Sequence, residues 1–111
     1  MFEKNLAVSD LLDRYGAVLS ERHRELLDFY YNQDLSLGEI AAEIGISRQG
    51  VRDGIKKAEE ELFYLERGLG LQDRSEAMLS AAERLLALPV SDEVRAAVQA
   101  LLEAAGVATL F

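Results

Sequence analysis

The sequence predicts an all-α protein, in which a helix-turn-helix bundle with a long recognition helix is followed by a C-terminal helical hairpin. Apolar residues recur at intervals of three and four along most of the 111 residues, the spacing of helices that bury one face. Only one proline is present, and proline is the residue that disrupts helices most strongly. Serine or aspartate precedes several apolar stretches and glycine follows them, as at helix ends. We therefore expect two helical parts, residues 1–70 and residues 71–111.

The helix-turn-helix is predicted from its capping residues. Ser36 precedes Glu39 by three residues, the capping-box spacing that begins a helix. Gly45 follows where a left-handed residue is needed, and Ser47 can cap the next helix. Ile46, between them, is expected to point into the core. Two helices joined by a short turn, the second beginning with long polar side chains, are typical of a helix-turn-helix. The alternative is an ordinary helical hairpin with a basic surface.

Two further helices are predicted before this motif. The first covers about residues 4–15 and weakens at Gly16, because glycine disfavours the helix interior. The second covers about residues 21–31, with Ser20 as its cap. A polar turn at residues 32–34 leads into the motif.

The histidine and the aromatic cluster of the second helix both have a structural interpretation. His23 is the only histidine and is expected on a solvated first turn rather than in a proton relay or metal site. Phe29, Tyr30 and Tyr31 are consecutive aromatic residues, which could stack on bases. Their helical context favours packing in the core instead.

The second helix of the motif is predicted to continue well beyond it. Apolar residues alternate four and three apart at Val51, Ile55, Ala58, Leu62, Leu65 and Leu69. This heptad-like row is too short to indicate a coiled coil, so burial against other helices of the same chain is favoured over a coiled-coil dimer. Gly68 and Gly70 are expected to end the helix.

The C-terminal part is predicted to begin with a connector over residues 71–74, which includes a capping residue, Asp73, three before Glu76. Pro89 follows the end of the first hairpin helix, and Ser91 can cap the second. The inner positions of the first helix are predicted to be Met78, Ala82, Leu85 and Leu86. Those of the second are Val94, Ala97, Val98, Leu101, Leu102 and Ala105, spaced as one apolar stripe.

Gly106 and an apolar tail over residues 107–111 follow that stripe. The hairpin could simply complete the core. A continuous stripe with an apolar tail slightly favours a subunit interface or a docking surface for a partner's helix, and hence a possible homodimer.

Charge is unevenly distributed. The net charge is −8, which opposes nucleic-acid binding in general because cations must replace the counterions of the phosphates. Residues 48–57, however, contain four cations and one acid, and a local field acts over the Debye length of about 8 Å. The candidate nucleic-acid-binding residues are Ser47, Arg48, Gln49, Arg52, Lys56 and Lys57.

These candidate residues differ in the part of a nucleic acid that they can contact. Gln49 and Arg52 can each make paired hydrogen bonds to base edges. Lys56 and Lys57 would neutralise phosphates without reading the base sequence.

The sequence lacks the residues that metal binding, catalysis or membrane insertion would need. There is no cysteine and a single histidine, so neither a thiolate nor a histidine-rich metal site is expected. No phosphate-binding loop or catalytic triad is recognisable, and we expect a non-enzyme without cofactors. No apolar run approaches the roughly 20 residues of a membrane span, and the N-terminus lacks a secretory signal, so no membrane insertion and a cytoplasmic location are expected.

The chain also resembles a known family. The segments are LSER at residues 19–22, the Tyr30–Tyr31 pair, LSLGEIAAEIGISRQ at residues 35–49 and DGIKK at residues 53–57. They are similar to the YlxM-like bacterial helix-turn-helix proteins associated with the signal recognition particle. The motif also resembles region 4 of bacterial sigma factors, the promoter-reading domain.

The resemblance implies an accessory or regulatory protein of the signal recognition particle pathway, with the particle's GTPase, its RNA, or both as partners. Gly50, Arg52 and Gly54 depart from the family pattern. The two glycines indicate either a helix ordered on binding or a close approach of another backbone. Two alternatives remain, which are a dimeric transcription regulator that binds duplex DNA and a protein–protein adaptor without nucleic-acid binding.

Overall fold

A computed structural model of the protein describes residues 4–107. All regular secondary structure within this range is helical, which confirms the predicted fold class. The chain divides after Gly70 into two compact units. The first contains the helix-turn-helix and the second is a helical hairpin.

The N-terminal unit begins with α1, Leu6–Tyr15, and a 3₁₀ turn, Gly16–Val18. The side chain of Asn5 caps α1 by accepting a hydrogen bond from the amide of Ala7 at 3.0 Å. Helix α2, Glu21–Leu27, follows. Its predicted cap is confirmed, since the Ser20 hydroxyl accepts from the amide of His23 at 3.2 Å.

A π-helical turn, Asp28–Asn32, extends α2 where the sequence predicted a continuous α-helix. The amide of Gln33 donates to the carbonyl of Asp28 at 3.0 Å, which closes the wider π turn. This extra residue turns Tyr30 into the core, where it is buried, while Tyr31 is half-buried. The core assignment of these two aromatic side chains is therefore confirmed.

The helix-turn-helix consists of α3, Leu37–Ile44, and α4, Arg48–Leu69. The capping box is confirmed, since the Glu39 amide donates to the Ser36 hydroxyl at 3.1 Å and the Ser36 amide to the Glu39 carboxylate at 3.0 Å. Gly45 is left-handed, with φ of 83°. The core prediction for Ile46 is wrong: the residue is 37% exposed, and its Cδ1 would lie 3.5 Å from a Cβ on Gly50, so it packs on the first turn of α4.

Helix α4 is the centre of this unit, since α1, α2 and α3 all pack against it. The buried side of α4 consists of Val51, Ile55, Ala58 and Leu62, each 0% exposed. Those four positions of the predicted apolar row are thus confirmed. Leu65 is half-buried and Leu69 is 48% exposed.

Polar contacts also join α4 to the helices around it. The Tyr15 hydroxyl donates to Glu66 at 2.6 Å, and the Tyr31 hydroxyl donates to Glu59 at 2.5 Å. Burial raises the pKa of the Glu59 carboxyl, and the hydrogen bond from Tyr31 opposes this change. These hydrogen bonds fix α4 against α1 and against the π turn.

His23 differs from the prediction of a solvated position. Its side chain is half-buried, with Nδ1 3.6 Å from a carboxylate oxygen of Glu61. Both atoms are buried and lack a hydrogen-bond partner among residues 4–107. The histidine therefore belongs to the contact between α2 and α4.

The hairpin begins sooner than predicted, because α5, Leu71–Leu86, starts directly after Gly70. Gly70 is left-handed, with φ of 64°, and this one residue makes the turn that the sequence assigned to a connector over residues 71–74. Asp73 consequently lies inside the first turn of α5 rather than capping it. Gly68 lies within α4, so only Gly70 ends that helix, as its left-handed C-cap.

The second hairpin helix is α6, Asp92–Ala104, capped by Ser91 as predicted. Gly106 is left-handed, with φ of 71°. The two helices bury a small cluster between them, which consists of Ala82, Val98, Leu102 and Val107. Residues 108–111 of the predicted apolar tail lie outside the described residues.

Several predicted inner residues of the hairpin are exposed instead. They are Met78, Leu85, Val94, Ala97, Leu101 and Ala105. Two helices cover only the flank that each presents to the other, so the rest of a broad apolar stripe stays uncovered within the hairpin. Along the chain from residue 4 to residue 107, no helix is both long and apolar enough to cross a membrane.

Candidate nucleic-acid interface

The start of α4 is fixed by Ser47. Its hydroxyl accepts a hydrogen bond from the amide of Gly50 at 3.0 Å, which confirms the predicted cap. The Ser47 side chain is therefore engaged in the fold, although the residue itself is exposed. Its hydroxyl proton is still available to donate to a ligand.

Three cations follow Ser47 along one line of α4, and we call Arg48, Arg52 and Lys56 the basic row. They are spaced four residues apart and all three are exposed. Each step is about 6 Å along the helix axis, so the row extends over about 12 Å. The row lies next to the buried side of α4, which includes Val51 and Ile55. Local helix geometry thus brings together three of the predicted site residues.

Neighbouring carboxylates do not neutralise the ends of this row. Across residues 4–107, neither Arg48 nor Lys56 has a carboxylate oxygen within 4.0 Å. Of the nearby acids on α4, Asp53 accepts from Gln49 and Glu59 accepts from Tyr31. Glu60, four residues after Lys56, is exposed. Arg48 and Lys56, at the two ends of the row, are therefore exposed cations without a paired carboxylate in this range.

Arg48 also contacts the preceding helix. A Cβ atom built on Gly38 would lie 3.0 Å from Nε of Arg48, so the guanidinium lies directly against the first turn of α3. The sequence prediction missed Gly38, because a glycine inside a short helix carries no signal of which side chain crosses it. The contact holds Arg48 at the junction of the two motif helices.

Gln49 and Lys57 are placed differently from the row. The Gln49 amide nitrogen donates to Asp53 at 2.9 Å. A glutamine four residues before an aspartate is a known helix-stabilising pair, so this contact could have been predicted. Lys57 is exposed, but it lies about 100° around the helix from Lys56 and thus off the basic row.

Gly50 and Gly54, two of the glycines inside α4, each lie against a neighbouring side chain. A Cβ on Gly54 would come within 2.5 Å of Cδ1 of Leu26, so the buried Leu26 side chain of α2 occupies the space beside Gly54. A Cβ on Gly50 would lie 3.2 Å from the Ser47 hydroxyl. The sequence left open a helix ordered on binding or a close approach of a backbone, but the atoms nearest to Gly54 belong to the Leu26 side chain.

A capped pair of helices joined by a left-handed glycine, with an exposed row of cations on the second, defines the class: this is a helix-turn-helix protein. The family model of the YlxM/p13-like helix-turn-helix proteins, UPF0122, matches residues 2–102. The chain belongs to this family, which confirms the resemblance found in the sequence. The family description specifies a helix-turn-helix and neither ligand nor partner.

Individual relatives agree with this assignment. A UPF0122 protein of Shouchella clausii is 37% identical over 103 residues, which cover 93% of this chain and 94% of that protein. A UPF0122 protein of Caldanaerobacter subterraneus is 44% identical over 75 residues, 68% of this chain and 64% of that protein. One of Acetivibrio thermocellus is 54% identical over 61 residues, 55% of this chain and 52% of that protein. The chain thus matches less than two thirds of the length of some relatives.

Proposed function

We propose that the protein is an accessory or regulatory component of the signal recognition particle pathway that contacts nucleic acid through its basic row. The observation that carries this proposal is the exposed line of Arg48, Arg52 and Lys56 on the second motif helix. Helices presented in this way dock against the phosphates and base edges of nucleic acids. The signal recognition particle enters through the family resemblance, with its RNA and its GTPase as the expected partners.

Each residue has a distinct task in this proposal. Lys56 contributes charge to the phosphate backbone, and Arg48 does so from the α3–α4 junction, held against Gly38. Arg52 lies between them and can form a paired hydrogen bond with a base. Gln49 can read a base only after its amide leaves Asp53.

Binding is expected to be weak and strongly dependent on salt. The chain carries a net charge of −8, so most of its surface repels phosphates and only the basic row attracts them. The slope of log K against log salt is about 0.9 per neutralised phosphate on a duplex. A row of three cations therefore predicts a slope of about −3.

The decisive experiment is a titration at two salt concentrations. Labelled signal-recognition-particle RNA, random duplex DNA and the purified GTPase are each offered to the protein, and binding is followed by fluorescence anisotropy. Salt-dependent binding of the RNA supports the proposal. Binding to the GTPase that survives nuclease treatment and Arg48/Arg52 substitution supports the adaptor alternative. Selective binding of duplex DNA by a stable dimer supports the transcription regulator.

A pair of lysine variants tests the residue assignment. Replacing both Lys56 and Lys57 with alanine is expected to weaken binding to all sequences alike and to flatten the salt dependence. The single variants separate the two positions: Lys56→Ala lies on the row and should reduce the slope by about 1. Lys57→Ala makes the same charge change off the row and serves as the matched control. A sequence-selective loss, or equal effects of the single variants, would contradict the assignment.

A homodimer is also proposed, through the hairpin. Met78 and Leu85 on α5, and Val94 and Leu101 on α6, are exposed apolar residues. Rotation of about 100° per residue turns all four to the same side of the antiparallel pair. A second copy that covered this side would double the number of basic rows in the assembly and strengthen a weak contact with nucleic acid.

A further inference from the structure

An open groove of about 650 Å³ lies in the N-terminal unit, away from the basic row. One wall is α1 with the 3₁₀ turn that follows it, and the other is α2 with its π-helical extension. Its volume falls in the range of about 300–1,000 Å³ that is usual for ligand sites. The π turn is itself a feature that proteins often use at functional sites.

The floor of the groove is apolar. Leu12 and Gly16 are buried there, and Phe29 is half-buried. A Cβ atom on Gly16 would lie 3.3 Å from Leu12, so a larger residue would press on the floor. Phe29 packs against the core with only part of its surface buried, so an apolar side chain of a ligand could pack against the exposed part of its ring.

The rim is acidic. Asp13, Glu21, Glu25 and Asp28 line the groove together with Arg24, and Glu25 is paired with Arg22 at 3.7 Å. Asn32 and Gln33 each donate a hydrogen bond of 2.8 Å to Asp28. These hydrogen bonds hold the pKa of Asp28 below its usual value, so this carboxylate stays charged at neutral pH.

We infer that this groove is a docking site for a short basic segment of another protein, one that carries an apolar side chain between its lysines or arginines. The acidic rim attracts cations and repels phosphates, so a nucleic acid does not fit it. The apolar floor favours a peptide over a simple cation. This inference does not depend on nucleic-acid binding, because the groove and the basic row lie on different elements with opposite charge.

The test uses fluorescein-labelled ten-residue peptides and the full-length protein. A peptide of lysine and leucine is compared with one of lysine and serine and with one of glutamate and leucine. We expect the lysine–leucine peptide to bind most tightly and the glutamate–leucine peptide not to bind. The double variant Asp13→Asn/Glu21→Gln should raise the Kd of the lysine–leucine peptide by about 2- to 20-fold, as expected for two rim charges.

The matched control is Glu43→Gln/Glu60→Gln, which changes the net charge equally at two exposed positions outside the groove. Its Kd should stay within about twofold of wild type, and circular dichroism should show that both variants keep their helices. Equal losses in the two double variants, or no binding of the lysine–leucine peptide to the wild type, would overturn the inference.

Two further outcomes would also overturn it. If Asp13→Asn/Glu21→Gln weakened binding of labelled RNA, the groove would serve nucleic acid. If the same variant changed the sedimentation of the protein without peptide, a second copy would be the occupant. Failure of the basic row to bind RNA would leave the peptide result intact, so the two proposals can be tested separately.

Discussion

The N-terminal unit and the C-terminal hairpin have similar apolar patterns, yet they bury them to different extents. In the first, Ile55 and Leu62 on α4 are 0% exposed, because three other helices surround that side. In the second, Val98 and Leu102 are buried between two helices while Leu101, next to them, is 68% exposed. Helical periodicity therefore identifies the apolar side of a helix, whereas the number of neighbours decides how much of it is covered.

Core substitutions should show the largest difference between the two units. Leu62→Ala removes a fully buried side chain and should lower the free energy of unfolding by about 3–5 kcal/mol. Leu102→Ala, in the smaller cluster of the hairpin, should cost about half as much, because fewer neighbours lose contacts. Urea unfolding followed by circular dichroism measures both. Equal losses would show that the hairpin is as well packed as the first unit.

The same comparison explains which features could be predicted from the sequence. The caps and the turn of the motif were predictable, as Ser36 and Gly45 show, because they depend on residues close together in the chain. The π turn and the contact of Gly38 with Arg48 were not, since they depend on which elements meet in space. The basic row was predictable for the first reason, because residues four apart on a helix are neighbours whatever the fold around them.

Two glycines on one helix provide the next test. Gly54→Ala would force a Cβ to within 2.5 Å of Leu26. Overpacking of this kind costs about 1–3 kcal/mol, more than the gain of up to about 1 kcal/mol in helix propensity, so we expect a net loss of about 1 kcal/mol. Gly68→Ala is the matched control, because its Cβ would meet nothing within 4 Å, and it should stabilise the protein. A stabilising Gly54→Ala would contradict tight packing of the Leu26 side chain against Gly54.

A pH titration tests the polar contacts of the first unit. Burial, and next the hydrogen bond to Glu59, raise the pKa of Tyr31 above its usual value of 10.0. Above pH 10 the unfolded chain therefore loses this proton before the folded chain does, and stability falls as pH rises. Tyr31→Phe should make that fall shallower, while it costs about 1 kcal/mol at pH 7 through the lost hydrogen bond.

The matched control for Tyr31 is Tyr64→Phe, since Tyr64 is 69% exposed on the same helix as Glu59. This variant should show the same fall of stability with rising pH as the wild type. Stability of the Tyr31→Phe variant should still fall somewhat as pH rises, because burial also raises the pKa of Tyr30. Unfolding midpoints between pH 8 and 11 would measure these differences, and an unchanged slope in Tyr31→Phe would show that its hydroxyl is not protected in the fold.

The smallest effect on folding is expected for Leu101, although it is the residue on which the proposed dimer depends most. In a dilute solution, Leu101→Lys should change the free energy of unfolding by no more than about 0.5 kcal/mol, as for other exposed positions. At high concentration the wild type should gain stability through association, and this gain should be absent from the variant. Ala96→Lys adds the same charge to an exposed position on the other side of α6 and should still associate. Sedimentation equilibrium separates the two results: if wild type and Leu101→Lys are both monomers at every concentration, the apolar side of the hairpin is not a subunit interface, and its exposure requires another explanation than self-association.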